Sequence, residues 1–211
     1  MMSAEIKLSR RERRRLATRT EILQAARELL LEVGLEELSL REVARRSGFS
    51  PASLYTYFEN RDAIVLALMA ESFERLRHYL DRIPSELPPA KRIVELAMAY
   101  MAFGQENPVD LGCILSARPR SLPLESEETL GLDLARLIGQ TFREGVEEGV
   151  FVLTKEQSVA EMAYGFWALV HGMVVLNGVD LSAVSEDVSA APVRVLEAHM
   201  ARLTAKDAPS K

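Results

Sequence analysis

The chain is poor in the residues that carry most enzyme chemistry. Among 211 residues there is one cysteine, there are three histidines, and aromatic residues make up only 6%. A lone thiol, Cys113, excludes an internal disulfide and any zinc site built on cysteine pairs, and it fits a reducing, cytoplasmic setting. His78, His171 and His199 have no second histidine or cysteine at metal-ligand spacing. The sequence also lacks a Gly-rich phosphate loop and a G-x-S-x-G elbow. No catalytic residue, metal or cofactor is expected, and the chain does not read as an enzyme. Period-two runs long enough for a strand are missing as well. The amino terminus carries charge where a signal peptide would be apolar. The most apolar region, 151–176, is broken by Lys155, Glu156 and Glu161, and its unbroken part, 162–176, falls short of the roughly 20 residues of a bilayer span. No membrane partner is expected. A helix apolar on all sides is instead one covered by its own domain and by a partner.

What is present is ample core material, 48% hydrophobic residues in a length that suits one or two domains. The net charge of −5 hides a strong asymmetry, because residues 1–20 carry seven basic residues against two acidic ones. Attraction to phosphate acts within a Debye length of about 8–10 Å, so a basic end can hold nucleic acid on an acidic protein. A solvated basic tail over residues 1–11 is the alternative.

The most informative stretch is LREVARRSGFSPASLYTYFENRD, residues 40–62. Leu40, Val43 and Ala44 mark the inward face of a short helix. Ser39 precedes it as N-cap, with Glu42 three residues on. Gly48 supplies the positive φ that ends it. Ser50 then caps a second helix, 52–58, with Pro51 at its first position and Leu54 and Phe58 on its inner face. Asn60 caps a third helix at once. Two short helices joined by a three- or four-residue turn containing Gly make a helix-turn-helix, whose second helix enters the DNA major groove.

Thr18-Arg19, Ile22-Leu23, Ala26, Gly34, Leu40–Ala44, Gly48, Ser50, Leu54-Tyr55, Tyr57-Phe58 and Asn60–Asp62 together resemble the amino-terminal domain of the TetR family of transcriptional regulators. The resemblance implies a homodimer that binds a near-palindromic operator in double-stranded DNA and responds to a small-molecule effector. By position, it makes Ser50, Tyr55, Tyr57 and Arg61 phosphate contacts. Thr18 and Ser39 come where the first two helices approach the backbone, and Pro51, Ala52 and Thr56 face base edges. Ala52 departs from the family, which often has Gly there. Residues 52–58 contain no Arg, Lys, Asn or Gln, so bidentate readout of guanine or adenine is not available from them. Thymine-methyl contacts from Ala52 and Thr56, together with DNA shape, are the expected readout, with Arg41 or Arg45 as the candidates for reaching a base from the preceding helix.

The rest of the chain reads as helices over about 13–33, 61–83, 88–107, 108–116, 124–148, 155–178 and 192–204, with a short tail at 206–211. The second capping box expected is Thr154 with Gln157. The fold expected is all-α, a helix-turn-helix domain over 1–60 followed by a helical effector-binding and dimerisation domain over 61–211. Gly165, Ala168 and Gly172 share one helical face, which lets another helix approach closely; with Ala135 and Phe142 they are the expected dimer contacts. Trp167, His171 and Gly172, with Glu106–Pro108, resemble a tryptophan–histidine–glycine motif of one TetR branch. The effector pocket implied by the family is lined by Tyr100, Met101, Phe103, Cys113, Ile114, Phe142, Tyr164, Trp167 and His171, so a largely apolar effector is expected. A regulator without effector, and a helical lipophilic-ligand carrier or enzyme, are the competing readings.

Overall fold

The structure, a computed structural model, describes residues 9–115, 132–176 and 191–204. Its architecture is all-α. The described helices are α1 (Arg10–Val33), α2 (Leu40–Ser47), α3 (Pro51–Tyr55), α4 (Arg61–Leu80), α5 (Pro89–Glu106), α6 (Pro108–Leu115), α7 (Leu132–Glu147), α8 (Val159–Leu176) and α9 (Ala191–Thr204).

Two compact units emerge. Among the described residues the first holds 9–72 and 112–115, and the second holds 73–111, 132–176 and 191–204. The division falls inside α4, after Ser72 and not at the expected boundary 60/61. The cause is that Ile64, Val65, Ala67 and Leu68 complete the first core together with Ile22, Leu23, Leu29, Val43, Leu54 and Phe58. The first unit is thus a three-helix domain closed by the start of α4. Arg27 on α1 pairs with Glu71 on α4 at 2.9 Å across it.

Several boundaries differ from expectation, among them α4, which ends at Leu80 and not at 83. α1 begins at Arg10, because Ser9 and Glu12 form a reciprocal capping box. That removes residues 9–11 from the expected tail, and residues 1–8 lie outside the description. α3 stops at Tyr55 with Thr56 as its C-cap. α8 begins at Val159, because the working cap is Ser158, whose hydroxyl accepts from the Glu161 N–H while the Glu161 carboxylate accepts from the Ser158 N–H. Thr154 instead closes a turn, its carbonyl accepting from the Gln157 N–H. The expected helix start at 124 and the tail at 206–211 lie outside the described residues.

In the second unit α7 packs on α8, and α5 packs on both. Phe103, Phe142 and Phe166 are fully buried, and Phe142 meets Phe151 and Phe166 at ring distances of 5.0 and 5.3 Å. α8 has the length and mean hydropathy (1.5) of a membrane span, by length and composition only. Met162, Phe166, Val170, Met173 and Val174 occupy its inner face.

Candidate nucleic-acid interface

Gly48, Phe49 and Ser50 join α2 to α3. Gly48 sits at φ 73°, ψ 12°, a left-handed conformation that favours glycine, and the Phe49 N–H returns to the Ala44 carbonyl at 3.0 Å. Ser50 caps α3 by accepting from the Ser53 N–H at 3.1 Å. Only Leu54 of α3 is buried. Pro51, Ala52, Tyr55 and Thr56 are all exposed, Tyr55 by 56%, so the face expected to meet base edges is an outward face. The Thr56 hydroxyl donates to the Ser53 carbonyl at 2.7 Å, which leaves its methyl group and the acceptor lone pairs of its oxygen as the chemistry it presents.

Around this face the expected backbone contacts divide. Ser39 is exposed and accepts from the Glu42 N–H at 3.3 Å. Arg41 is exposed on α2, whereas Arg45 is paired with Glu42 and Arg46 with Glu32. Thr18 is half-buried on α1, and Tyr57 is half-buried with its ring against the first core. Arg61 is bonded within its own domain. Its Nε donates to the Leu38 carbonyl at 3.0 Å and its Nη2 to the Leu35 carbonyl, and its nearest carboxylate, Asp62, is 3.9 Å away. The α1–α2 link leaves these carbonyls without helical partners, and the guanidinium supplies them. Arg61 therefore braces the α1–α2 link within the domain through Nε and Nη2.

Sequence reasoning read the basic end as able to hold nucleic acid but did not single out its arginines as site residues. Arg11, Arg14 and Arg15, with Ser9 and Glu12, face Thr56 and Tyr57 across an open groove of about 710 Å³. The Arg19 guanidinium lies 5.1 Å from the Phe58 ring centroid, tying α1 to the end of the helix-turn-helix. The readable signal was the helical spacing. The seam that is buried at Ile22, Ala25, Ala26 and Leu29 continues backwards through Thr18, Arg15, Arg14 and Arg11.

The residues expected to line an effector pocket separate. Cys113 and Ile114 belong to the first unit, with Cys113 in its core, because α6 contributes its second half there. Phe103 and Phe142 are fully packed, and Met101 is buried. Tyr164 is 72% exposed, since it lies on the opposite side of α8 from Phe166 and Val170. Tyr100, Trp167 and His171 do come together: the Tyr100 hydroxyl is 2.9 Å from His171 Nδ1, and the Trp167 and His171 rings meet edge-on at 6.2 Å. Burial pushes the Tyr100 phenol up to about 12 and lowers the His171 imidazole. Both groups are consequently neutral near pH 7 and share one hydrogen bond whose direction follows the imidazole tautomer. Among the described residues the buried Trp167 Nε1 has no acceptor.

Of the expected dimer contacts, Gly165 and Ala168 are exposed and Ala135 and Gly172 are half-buried. Phe142 is not available to a partner, because its own core covers it completely. Between α7 and α8 an open groove of about 600 Å³ is lined by residues that include Ala135, Gly139, Tyr164 and Trp167.

Residues 22–68 match the family described as "Bacterial regulatory proteins, tetR family". Over 98 residues the chain is 36% identical to the HTH-type transcriptional regulator UidR of Escherichia coli K12, a match covering 42% of this chain and 46% of that protein. The chain thus spans about half the length of the curated relatives it matches. Among solved structures, it resembles a tetR-family bacterial regulatory protein from Rhodococcus RHA1 (TM-score 0.70, 16% identity, 90% of this chain and 98% of that one). It also resembles the TetR family transcriptional regulator PfmR of Thermus thermophilus (TM-score 0.66, 20% identity, 96% and 100%). Residues 22–68 are thus similar to a tetR-family regulatory domain, and the fold of the chain is the one those solved structures have.

Proposed function

We propose that the protein is a cytoplasmic, DNA-binding transcriptional regulator of the TetR type that holds a near-palindromic operator as a homodimer. The observation that carries this is α3 itself. A five-residue helix buries one side chain and turns Pro51, Ala52, Tyr55 and Thr56 outward, beside the exposed caps Ser39 and Ser50. Packing alone does not account for so open a helix, whereas a major groove does. The reading is tested by selecting bound duplexes from a random pool with the purified full chain at near-physiological salt. Enrichment of a two-fold near-palindrome is expected. A pool that never enriches, with protein freed of ligand by unfolding and refolding, overturns it.

For the dimer, the proposed face is the exposed side of α8 around Gly165 and Ala168, with Ala135 on α7. A Cβ added to Gly165 meets nothing within 4 Å, so Gly165→Ala is expected to stabilise the isolated chain by up to about 1 kcal/mol through helix propensity. At a close helix–helix contact the same methyl group holds the partner off. Gly165→Ala is therefore expected to raise the dimer dissociation constant at least tenfold, read by analytical ultracentrifugation, while the subunit itself melts no earlier. Unchanged dimerisation removes Gly165 from the interface.

The effector reading rests on Tyr100, Trp167 and His171. Neutral groups with one orphaned indole N–H favour a largely apolar effector bearing a hydrogen-bond acceptor, and Trp167, His171 and Gly172 favour the tryptophan–histidine–glycine branch. Bound there, the effector would act through α4 to weaken operator binding, and linkage requires DNA to weaken the effector equally. The complete packing of Phe103 and Phe142 favours a second reading, a regulator controlled without a small molecule.

A further inference from the structure

We propose that the first two turns of α1 and the end of α3 form a clamp for the DNA phosphate backbone, separate from the base-facing side of α3. The inference rests on the DNA-binding reading above and adds to it the grip that a helix without long polar side chains lacks.

The argument starts from the seam of α1. One side of a helix recurs every three or four residues, and on this helix it runs from Leu29 through Ala25 and Ile22 to Thr18, Arg15, Arg14 and Arg11. In its last turns the seam is core. In its first turns it carries three guanidinium groups, and the protein does not cover them. They face Thr56 and Tyr57 over an open groove. Among the described residues, Arg11, Arg14 and Arg15 have no carboxylate within ion-pair distance. On α2, by contrast, Arg45 is paired with Glu42 and Arg46 with Glu32.

Glu12 is the acidic residue in the groove, and it is already engaged. Its carboxylate accepts from the Ser9 N–H at 2.7 Å, and the Ser9 hydrogen bonds hold its pKa below the usual range. It serves the capping box that orders these turns and fixes where the arginines point.

Three cations on one side of a helix, beside a phenol and with no carboxylate partner among the described residues, complement a polyanion with regularly spaced charges. Double-stranded DNA carries one phosphate about every 1.7 Å of axis, and Arg and Tyr are among the side chains that hold such phosphates without reading sequence. Since α3 offers only short side chains to the bases, the clamp supplies affinity, and α3 supplies discrimination.

The test compares the full chain with the R11Q/R14Q/R15Q variant by fluorescence anisotropy, over a salt series, on a selected operator duplex and on a scrambled duplex. Neutralising two or three phosphate contacts per protomer lowers the slope of log affinity against log salt by about 2–3 for each subunit bound. Affinity for both duplexes is expected to fall at least tenfold near physiological salt. Thermal unfolding is expected at the wild-type midpoint, because these side chains contribute nothing to the core. The R11K/R14K/R15K variant keeps the charges and is expected to keep the slope. An unchanged slope in the glutamine variant overturns the clamp, and so does a loss confined to the operator, which would make these residues sequence readers. A lysine variant that loses the slope as fully as the glutamine variant overturns charge neutralisation as its basis. A wild-type protein that binds neither duplex fails the DNA-binding reading itself, a result distinct from all of these.

Discussion

Replacing Arg61 with alanine is expected to lower the stability of the first unit by about 2–3 kcal/mol, the range for losing charge-assisted hydrogen bonds to partly buried groups. In a unit of this size that shifts the melting midpoint by roughly 10–20 °C. The reason is geometric. Arg61 opens α4 and reaches back 23 and 26 residues to the carbonyls of Leu38 and Leu35. Without it the Leu38 carbonyl loses its donor and the Leu35 carbonyl keeps only the Leu38 N–H at 3.2 Å, so the link that leads into the N-cap of α2 at Ser39 loses its brace. Lysine places one compact ammonium where a planar fork is needed, so Arg61→Lys is expected to recover less than half of the loss. DNA affinity falls in both variants at 37 °C, but for a structural reason. At 10 °C, where the domain is folded again, the salt dependence of binding is expected to match wild type. An Arg61→Ala protein that melts at the wild-type midpoint and shows a shallower salt dependence would return Arg61 to the phosphate contacts.

That example also marks how far sequence reasoning reaches here. The helix-turn-helix was legible because its signals are local. Ser39 with Glu42, Gly48, and Ser50 with Pro51 each act within four residues, and all of them behave as their chemistry demands. Competition between equivalent local signals is already harder to judge. Thr154 with Gln157 and Ser158 with Glu161 offer the same pattern four residues apart, and the second won because the carboxylate of Glu161 accepts from both the N–H and the hydroxyl of Ser158. Distant contacts were not legible at all. Nothing near Arg61 in the chain announces two carbonyls of an earlier link. Nothing near Cys113 announces that half of a short helix belongs to the first core. An apolar residue such as Phe142 looks the same in sequence whether it lines a cavity, meets a partner or fills a core, and here its neighbours Phe151 and Phe166 close it off. The groove at the start of α1 lies between these extremes. Its spacing was visible, but that the seam passes beyond the core there depends on where α3 ends.

The second large effect is expected at Gly145, in the last turns of α7. Alanine is the better helix former by up to about 1 kcal/mol, and on propensity alone Gly145→Ala would stabilise. The new Cβ, however, would stand 2.3 and 2.4 Å from two atoms of the Phe151 ring and 3.0 Å from Pro89 Cβ. Phe151 is 2% exposed and packed on Phe142, so its ring has no open side to move to. Its backbone is held as well, because the Gly145 carbonyl accepts from the N–H groups of both Val150 and Phe151, at 2.7 and 3.0 Å. Retreat of the ring would therefore pull on the bonds that close the corner. Overpacking of this kind costs about 1–3 kcal/mol and sometimes more. With contacts this short against a rigid ring, the cost is expected to exceed the propensity gain, for a net loss of about 2 kcal/mol in the second unit. Gly165→Ala supplies the internal control, being the same change on the neighbouring helix with open space around the new atom. Thermal unfolding of the two variants below the dimer dissociation constant is expected to shift in opposite directions. If both rise, the Phe151 corner yields to a methyl group, and glycine at 145 is not required by its packing.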